Sequence, residues 1–233
     1  MNYKTDAEYN GDMPLQFSRK QQVLIVASVD AEKEAVLRGL GADNRFQVIA
    51  GGVGAAAAAA SAASALAHSR YDLVICAGIA GGFKDRAETG SIVVASEIIA
   101  ADLGAETPEG FLSVDELGFG SCRVPVHQGL TAALTEAIRS AGIKVIAGPV
   151  LTVSTATGTA ETAELLEERI PGAAAEAMEG YGIGTAASQR GIPVLEIRAI
   201  SNSVGPRDRD AWRIGDALKA LEEASAILSE VLS

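Results

Sequence analysis

FQVIAGGVGAAAAAASAASALAHSRYDLVICAGIAGG, residues Phe46–Gly82, sets two short β-branched apolar runs, Phe46–Ala50 and Leu73–Ala77, on either side of an alanine-rich stretch, Gly54–His68. Runs of that length and composition read as strands buried on both faces, and the longer stretch between them as a helix. Strand, helix and strand in succession predict a parallel pair joined by a crossover. The alternation continues in both directions. Val23–Ala27, Ser91–Ala95, Lys144–Pro149 and Pro193–Ile200 read as further strands, and Ala31–Leu40, Gly129–Ala141, Thr159–Ile170, Ala173–Arg190 and Asp210–Leu232 as helices. The predicted class is α/β, with helices covering a largely parallel sheet. Asp102–Pro125 is less regular, carrying Gly104, Pro108, Gly110, Gly118 and Gly120, and reads as an active-site loop or a hairpin insertion. No linker-like stretch or repeat divides the chain. One domain is expected over residues 22–233, after a polar tail over residues 1–21 that reads as disordered or expression-derived.

Composition narrows the function. With 233 residues and 48% hydrophobic content the chain can bury a sizeable core. Its 19 basic against 30 acidic residues give a net charge of −11, which repels a phosphate backbone, so nucleic acid is not an expected partner. Two cysteines, Cys76 and Cys122, are too few for a disulfide framework or a cysteine zinc site and read as buried thiols in a reducing compartment. His68 and His127 stand in no ligand-spaced motif, so no metal is expected. The tail lacks the apolar core of a signal peptide, and the weakly polar stretch Val48–Ala67 is mostly Gly and Ala, interrupted by Ser61 and Ser64. No membrane span and a cytoplasmic location are therefore expected.

Gly52-Val53-Gly54-Ala55-Ala56-Ala57 follows a strand and opens a helix, as a dinucleotide-binding loop does, and Asp72 lies 20 residues beyond Gly52. The geometry argues against that reading. The ribose-binding acid must stand at the carboxyl end of the second strand, whereas Asp72 precedes Leu73–Ala77. Small residues that let an alanine helix pack on the sheet are the plain explanation.

Cys76-Ala77-Gly78-Ile79-Ala80-Gly81-Gly82 ends a buried strand, where open α/β sheets bind ligands, and its glycines let the backbone of Ile79, Ala80 and Gly81 approach a sugar, a base or a water. Alone it is equally a tight turn. Joined to Ala-Met-Glu-Gly at 177–180 and Arg-Ala-Ile-Ser-Asn at 198–202, it resembles the nucleoside phosphorylase and nucleosidase superfamily over roughly residues 22–232. Ser-Asn-Ser-Val-Gly-Pro-Arg-Asp-Arg at 201–209 is similar to the superfamily's futalosine hydrolases, a group of the alternative menaquinone pathway, with the methylthioadenosine/S-adenosylhomocysteine nucleosidases next to them. The resemblance implies a three-layer α/β/α nucleoside phosphorylase-like fold around a mostly parallel mixed sheet. It also implies hydrolysis of a purine nucleoside and a homodimer or higher homo-oligomer.

Residue roles follow from the same resemblance. Glu32, just after the first strand, takes the place of the acid that activates water, although Asp30 and Glu34 also suit the first turn of a helix. Glu179, among Ala177, Gly180, Gly182 and Gly184 on the expected helix Ala173–Arg190, takes the place of the carboxylate that binds a ribose diol. Such charge-assisted bonds strengthen as the sugar becomes an oxocarbenium ion. A salt bridge to an arginine is the plain alternative. Met178 is placed on the sugar face or in the core. Val153–Thr159 resembles the segment that brackets the base, with Gly158 and Thr159 as binding residues, and Thr159 also suits a helix cap.

Asn202, beside Ser201, stands where the nucleosidases of 6-aminopurines carry an Asp that protonates N7. An amide cannot supply that proton, but it accepts a hydrogen bond from N7–H and donates one to O6, which suits hypoxanthine rather than adenine. A turn before Gly205-Pro206 is the alternative role. Arg207 and Arg209 are expected either to pair with a substrate carboxylate such as the benzoate of futalosine or to be solvated. The superfamily's phosphorylases place an arginine near the glycine turn, and Leu73–Gly82 has none, so hydrolysis without a cofactor is expected. A methylthioadenosine/S-adenosylhomocysteine-type nucleosidase, a purine nucleoside phosphorylase and a non-catalytic nucleoside binder remain as alternatives.

Overall fold

The computed structural model describes residues 21–232, so residues 1–20 of the expected tail lie outside the described residues. In chain order the strands are β1 Val23–Ala27, β2 Phe46–Ala50, β3 Leu73–Gly82, β4 Ile92–Ala100, β5 Gly104–Thr107, β6 Gly110–Ser113, β7 Arg123–Val124, β8 Val145–Thr152, β9 Ala175–Ala177 and β10 Val194–Ser203. The helices are α1 Asp30–Leu40, α2 Ala55–His68, α3 Gln128–Ser140, α4 Ala160–Arg169, α5 Gly180–Ser188 and α6 Ile214–Val231. The crossover expected at residues 46–82 is present: β1 pairs in parallel with both β2 and β3.

The sheet is mixed and mostly parallel. β3–β10, β4–β8 and β8–β9 are also parallel, while β10–β4, β3–β9 and β4–β7 are antiparallel. Because β10 pairs with both β4 and β3, the strands β3, β10, β4, β8 and β9 close on themselves, and β1 and β2 extend from β3. Period-two alternation along each strand feeds two helical layers. On β1, Val23 and Ile25 join Val36 of α1, Leu134 of α3 and Leu221 and Leu228 of α6, whereas Leu24 and Val26 join Ala58 and Ala62 of α2 and Ile183 of α5. Each such leucine or isoleucine, fully buried, contributes about 1.5–3 kcal/mol. Alanine dominates α2 because α5 crowds it, and a Cβ on Gly182 would lie 2.1 Å from the Ala55 carbonyl oxygen.

Several sequence expectations are corrected. Ala173–Arg190 is not one helix: Ala175–Ala177 forms β9, and α5 begins at Gly180. Alanine favours helix, but Glu176 is paired with Gly81 on one side and Leu151 on the other, and this ladder overrides propensity. β2 is an edge strand exposed at Gln47 and Ala50, and β8 is only partly buried over its first half, so neither is covered on both faces. β3, β4 and β10 each run past their expected ends. The last helix starts at Ile214, after a separate 3₁₀ turn at Arg209–Ala211. Within Asp102–Pro125 lies the β5–β6 hairpin. Among the described residues no helix is long and apolar enough to cross a membrane.

Candidate active site

A cavity of about 360 Å³ opens beyond the end of β1, along the second half of β3 and at the end of β10. Its position follows from the topology, since parallel strands direct their carboxyl ends and the following loops to one edge. Glu32 reaches it from the first turn of α1. One carboxylate oxygen accepts the amides of Ser28 (2.9 Å) and Val29 (3.2 Å) and the Ser28 hydroxyl, and the other accepts the Ile79 amide at 2.8 Å. Glu32 is only 2% exposed, whereas Asp30 and Glu34 are exposed. Helix-start chemistry thus fastens Glu32 inward, because its side chain returns to the amide preceding the helix.

Glu179 enters from the residue before α5. Its Oε1 accepts the Gly54 amide (3.2 Å), and its Oε2 accepts Arg198 (3.2 Å) and the Met178 amide (3.4 Å). The salt bridge that was the plain alternative for Glu179 is therefore present, in a residue that also lines the cavity. Arg198, 1% exposed, further donates from Nε to Glu196 at 2.7 Å, from Nη2 to the Cys76 sulfur at 3.0 Å and from Nη1 to the Ile79 carbonyl at 3.4 Å. Burial works against its charge, but the acidic groups around it hold its pKa well above the ordinary value. Burial likewise pushes Glu196 and the Cys76 thiol up. The guanidinium shared by Glu179 and Glu196 makes their burial tolerable, and its removal would strand both carboxylates.

At the other end of the cavity the Asn202 amide is oriented by its neighbours. Its Nδ2 donates to the Ser203 carbonyl at 2.9 Å, and its Oδ1 lies 2.8 Å from the Ser201 hydroxyl. Only an N–H can face the carbonyl, which fixes which end of the amide is which. Glu176 of β9, also lining the cavity, accepts the Thr157 amide at 2.9 Å and the Thr157 hydroxyl. Burial raises its pKa, against those two bonds.

The cavity brings together Glu32, Ile79, Ala80, Gly81, Met178, Glu179, Ser201, Asn202 and Arg207 of the expected residues. Gly158, Thr159 and Arg209 do not line it. Thr159 instead caps α4 by accepting the Thr162 amide at 3.1 Å, and Arg209 lies in the 3₁₀ turn. Arg207 sits with its guanidinium 5.2 Å from the Trp212 ring centre at the cavity mouth. Sequence reasoning missed Ser28, Glu176, Glu196, Arg198 and Trp212. Arg198 stood inside the 198–202 motif and invited a role by its charge alone, whereas Glu176 was hidden by the helix expected there. Asp72 binds the Gln22 amide at the far end of β3, and the anion held at the start of α2 is Glu179.

The family model of the phosphorylase superfamily matches residues 25–233. Futalosine hydrolase of Streptomyces coelicolor is 48% identical over 230 residues, covering 90% of this chain and 96% of that protein. The enzyme of the same name from Acidothermus cellulolyticus is 45% identical, covering 88% and 89%. Among solved structures, 5′-methylthioadenosine/S-adenosylhomocysteine nucleosidase of Neisseria meningitidis in complex with methylthio-immucillin-A superposes with a TM-score of 0.76 at 19% identity, covering 91% of this chain and 98% of that one. At that identity the likeness concerns the fold.

Proposed function

The chain belongs to the phosphorylase superfamily, and within it we propose that this protein hydrolyses the N-glycosidic bond of futalosine, releasing hypoxanthine and dehypoxanthine futalosine for menaquinone biosynthesis. The observation that carries the reading is the convergence of Glu32, Glu179 and Asn202 on one cavity. Water held by the Glu32 carboxylate attacks C1′ and passes a proton to it. Glu179 accepts the 2′ and 3′ hydroxyls, one on the Oε1 lone pair that Gly54 leaves free and the other on Oε2 in exchange for the long bond from the Met178 amide, and these bonds tighten as the sugar becomes cationic. The electrons of the C1′–N9 bond leave with the purine as its anion, which takes a proton from solvent at N7, and Asn202 then engages N7–H and O6. Hydrolysis is favoured over phosphorolysis because Arg207 is the one basic side chain lining the cavity among the described residues, and it stands at the mouth rather than beside Glu32.

Arg207 is proposed to pair there with the benzoate of the substrate, Trp212 holding its guanidinium in place. The same proposal places the enzyme in the cytoplasm, in keeping with its free, buried Cys76 and Cys122, as one domain over residues 22–233. It also takes the enzyme to be a homodimer or higher homo-oligomer, for which the 81% exposed Phe119 offers apolar surface.

The test is release of base from futalosine, aminofutalosine, inosine and methylthioadenosine in phosphate-free buffer containing a chelator. Hypoxanthine from futalosine is the expected product. Cleavage of methylthioadenosine alone, or turnover only after phosphate is added, overturns the proposal.

A further inference from the structure

Of the three carboxylates lining the cavity, Glu32, Glu176 and Glu179, the reaction above employs two. Glu176 is left over, and its placement is unusual for an idle acid. It is 7% exposed, and Thr157 fixes both of its oxygens, the amide on Oε1 and the hydroxyl on Oε2. Each carboxylate oxygen retains a second lone pair.

The sheet register places Glu176 relative to Asn202. Gly81 pairs with Glu176 on one side and with Asn202 on the other. Residues paired across a sheet project to the same face, and adjacent strands lie about 4.8 Å apart, so Glu176 and Asn202 flank Gly81 with Cα atoms roughly 10 Å apart. Gly81 itself carries no side chain between them, and Val204 packs over it. A Cβ on Gly81 would stand 3.0 Å from Val204 Cγ2 and 3.3 Å from Asn202 Nδ2, so the glycine makes room for those two side chains, and the cavity that Glu176, Gly81, Asn202 and Val204 line is the gap offered to the edge of a flat heteroaromatic ring. On a purine held by Asn202 at N7 and O6, the next atom round that edge is N1. It carries a hydrogen in a 6-oxopurine and a bare lone pair in a 6-aminopurine.

We propose that Glu176 is a specificity-determining residue that accepts the N1–H of the base, so that the 6-oxo form is read at both walls of the gap and the 6-amino form is refused at both. The inference rests on the nucleosidase reading above. An N1 lone pair facing Glu176 sets acceptor against acceptor in a buried site, and a site built to hydrogen-bond one group rejects the analogue lacking it far more strongly than an apolar site does. As the C1′–N9 bond breaks the base gains negative charge and N1–H becomes a weaker donor. The bond therefore acts on binding more than on the chemical step.

Calorimetric titration of hypoxanthine, 1-methylhypoxanthine and adenine into the wild-type protein and Glu176→Gln, with futalosine kinetics alongside, tests this. The wild type is expected to bind hypoxanthine about 10²-fold more tightly than 1-methylhypoxanthine. Glu176→Gln, whose amide can turn an N–H towards the N1 of adenine, should narrow the preference for hypoxanthine over adenine roughly tenfold and raise KM for futalosine with little change in kcat. If wild-type protein cleaves futalosine yet binds hypoxanthine and 1-methylhypoxanthine equally, the role of Glu176 is overturned and the nucleosidase reading stands. That comparison needs no variant to fold. If the wild type neither cleaves futalosine nor binds hypoxanthine, the nucleosidase reading is overturned and this inference with it.

Discussion

Two glycine-rich stretches converge on the Glu179–Arg198 pair, and they use glycine for opposite reasons. In the loop before α2, Gly52 and Gly54 both stand at φ +91°, a conformation that side chains disfavour, and the space around Gly54 is empty. In β3, Gly78 and Gly81 are extended like their neighbours, and what they lack is room. A Cβ on Gly78 would lie 2.7 Å from Glu32 Oε1 and 2.8 Å from an Arg198 nitrogen. The first pair shapes a turn that offers an amide to Glu179. The second lets two charged side chains lie close over the strand backbone. Substitution in the loop should therefore act on folding, and substitution in the strand on chemistry.

Glu32→Gln sets the upper limit for the strand side of the comparison. Losing the base should lower kcat by about 10²-fold or more, while the amide oxygen keeps the Ser28 and Val29 donors and only the Ile79 amide loses its acceptor. Steady-state kinetics on futalosine, with Glu34→Gln as the control on an exposed neighbour, measures it. An equal loss in the control would mean that the inward acid has been misassigned.

Gly78→Ala comes next. The atoms its methyl would meet are the ends of two long side chains, so the fold can yield, but what yields is the position of Glu32 and Arg198. A displacement of about 1 Å at a catalytic group costs on the order of 10²-fold in rate. The expected outcome is a kcat loss approaching that of Glu32→Gln with a melting temperature lowered by only a few degrees. The double variant should be little worse than Glu32→Gln alone, because both act through one group. Additive losses would show that Gly78 serves something other than the placing of Glu32.

That contrast also marks what could be read from the sequence. Strand and helix alternation was legible, because hydrophobic period reports burial directly, and the carboxyl edge of β1 and β3 followed from it. β9 was not, because two alanines and a glutamate look helical until Gly81, Gly82 and β8 are there to pair with them. With β9 went Glu176 and the true setting of Glu179. Spacing likewise could not separate Glu32 from Asp30 and Glu34, nor Arg207 from Arg209, since each decision turns on which side chain the folded chain turns inward. A string of glycines does not say whether conformation or space is required, and so the loop at 52–54 looked like a dinucleotide site. The physics of that likeness is real: an anion does sit at the start of α2, but it belongs to Glu179.

The smallest effect tests the loop side. Gly52→Ala places a Cβ 3.0 Å from the Ala57 Cβ and obliges an alanine to hold φ +91°. Left-handed backbone costs an L-residue about 1–2 kcal/mol, and the contact with Ala57 adds to that or forces the loop to relax. For a chain of this size 1 kcal/mol shifts the melting temperature by about 2–4 °C, so a drop of several degrees is expected by calorimetry. Catalysis should hardly change, because the Gly52 amide is engaged by the Ser28 carbonyl at 3.0 Å rather than by Glu179. Measured well below the melting temperature, kcat/KM should stay within roughly threefold of wild type, a difference worth less than 1 kcal/mol. The informative pairing is with Gly78→Ala, which is expected to show the reverse balance of large rate loss and small thermal shift. If Gly52→Ala instead lost activity as Gly78→Ala does while keeping its stability, the loop would be part of the catalytic geometry, and the division between glycine for conformation and glycine for space would not hold here.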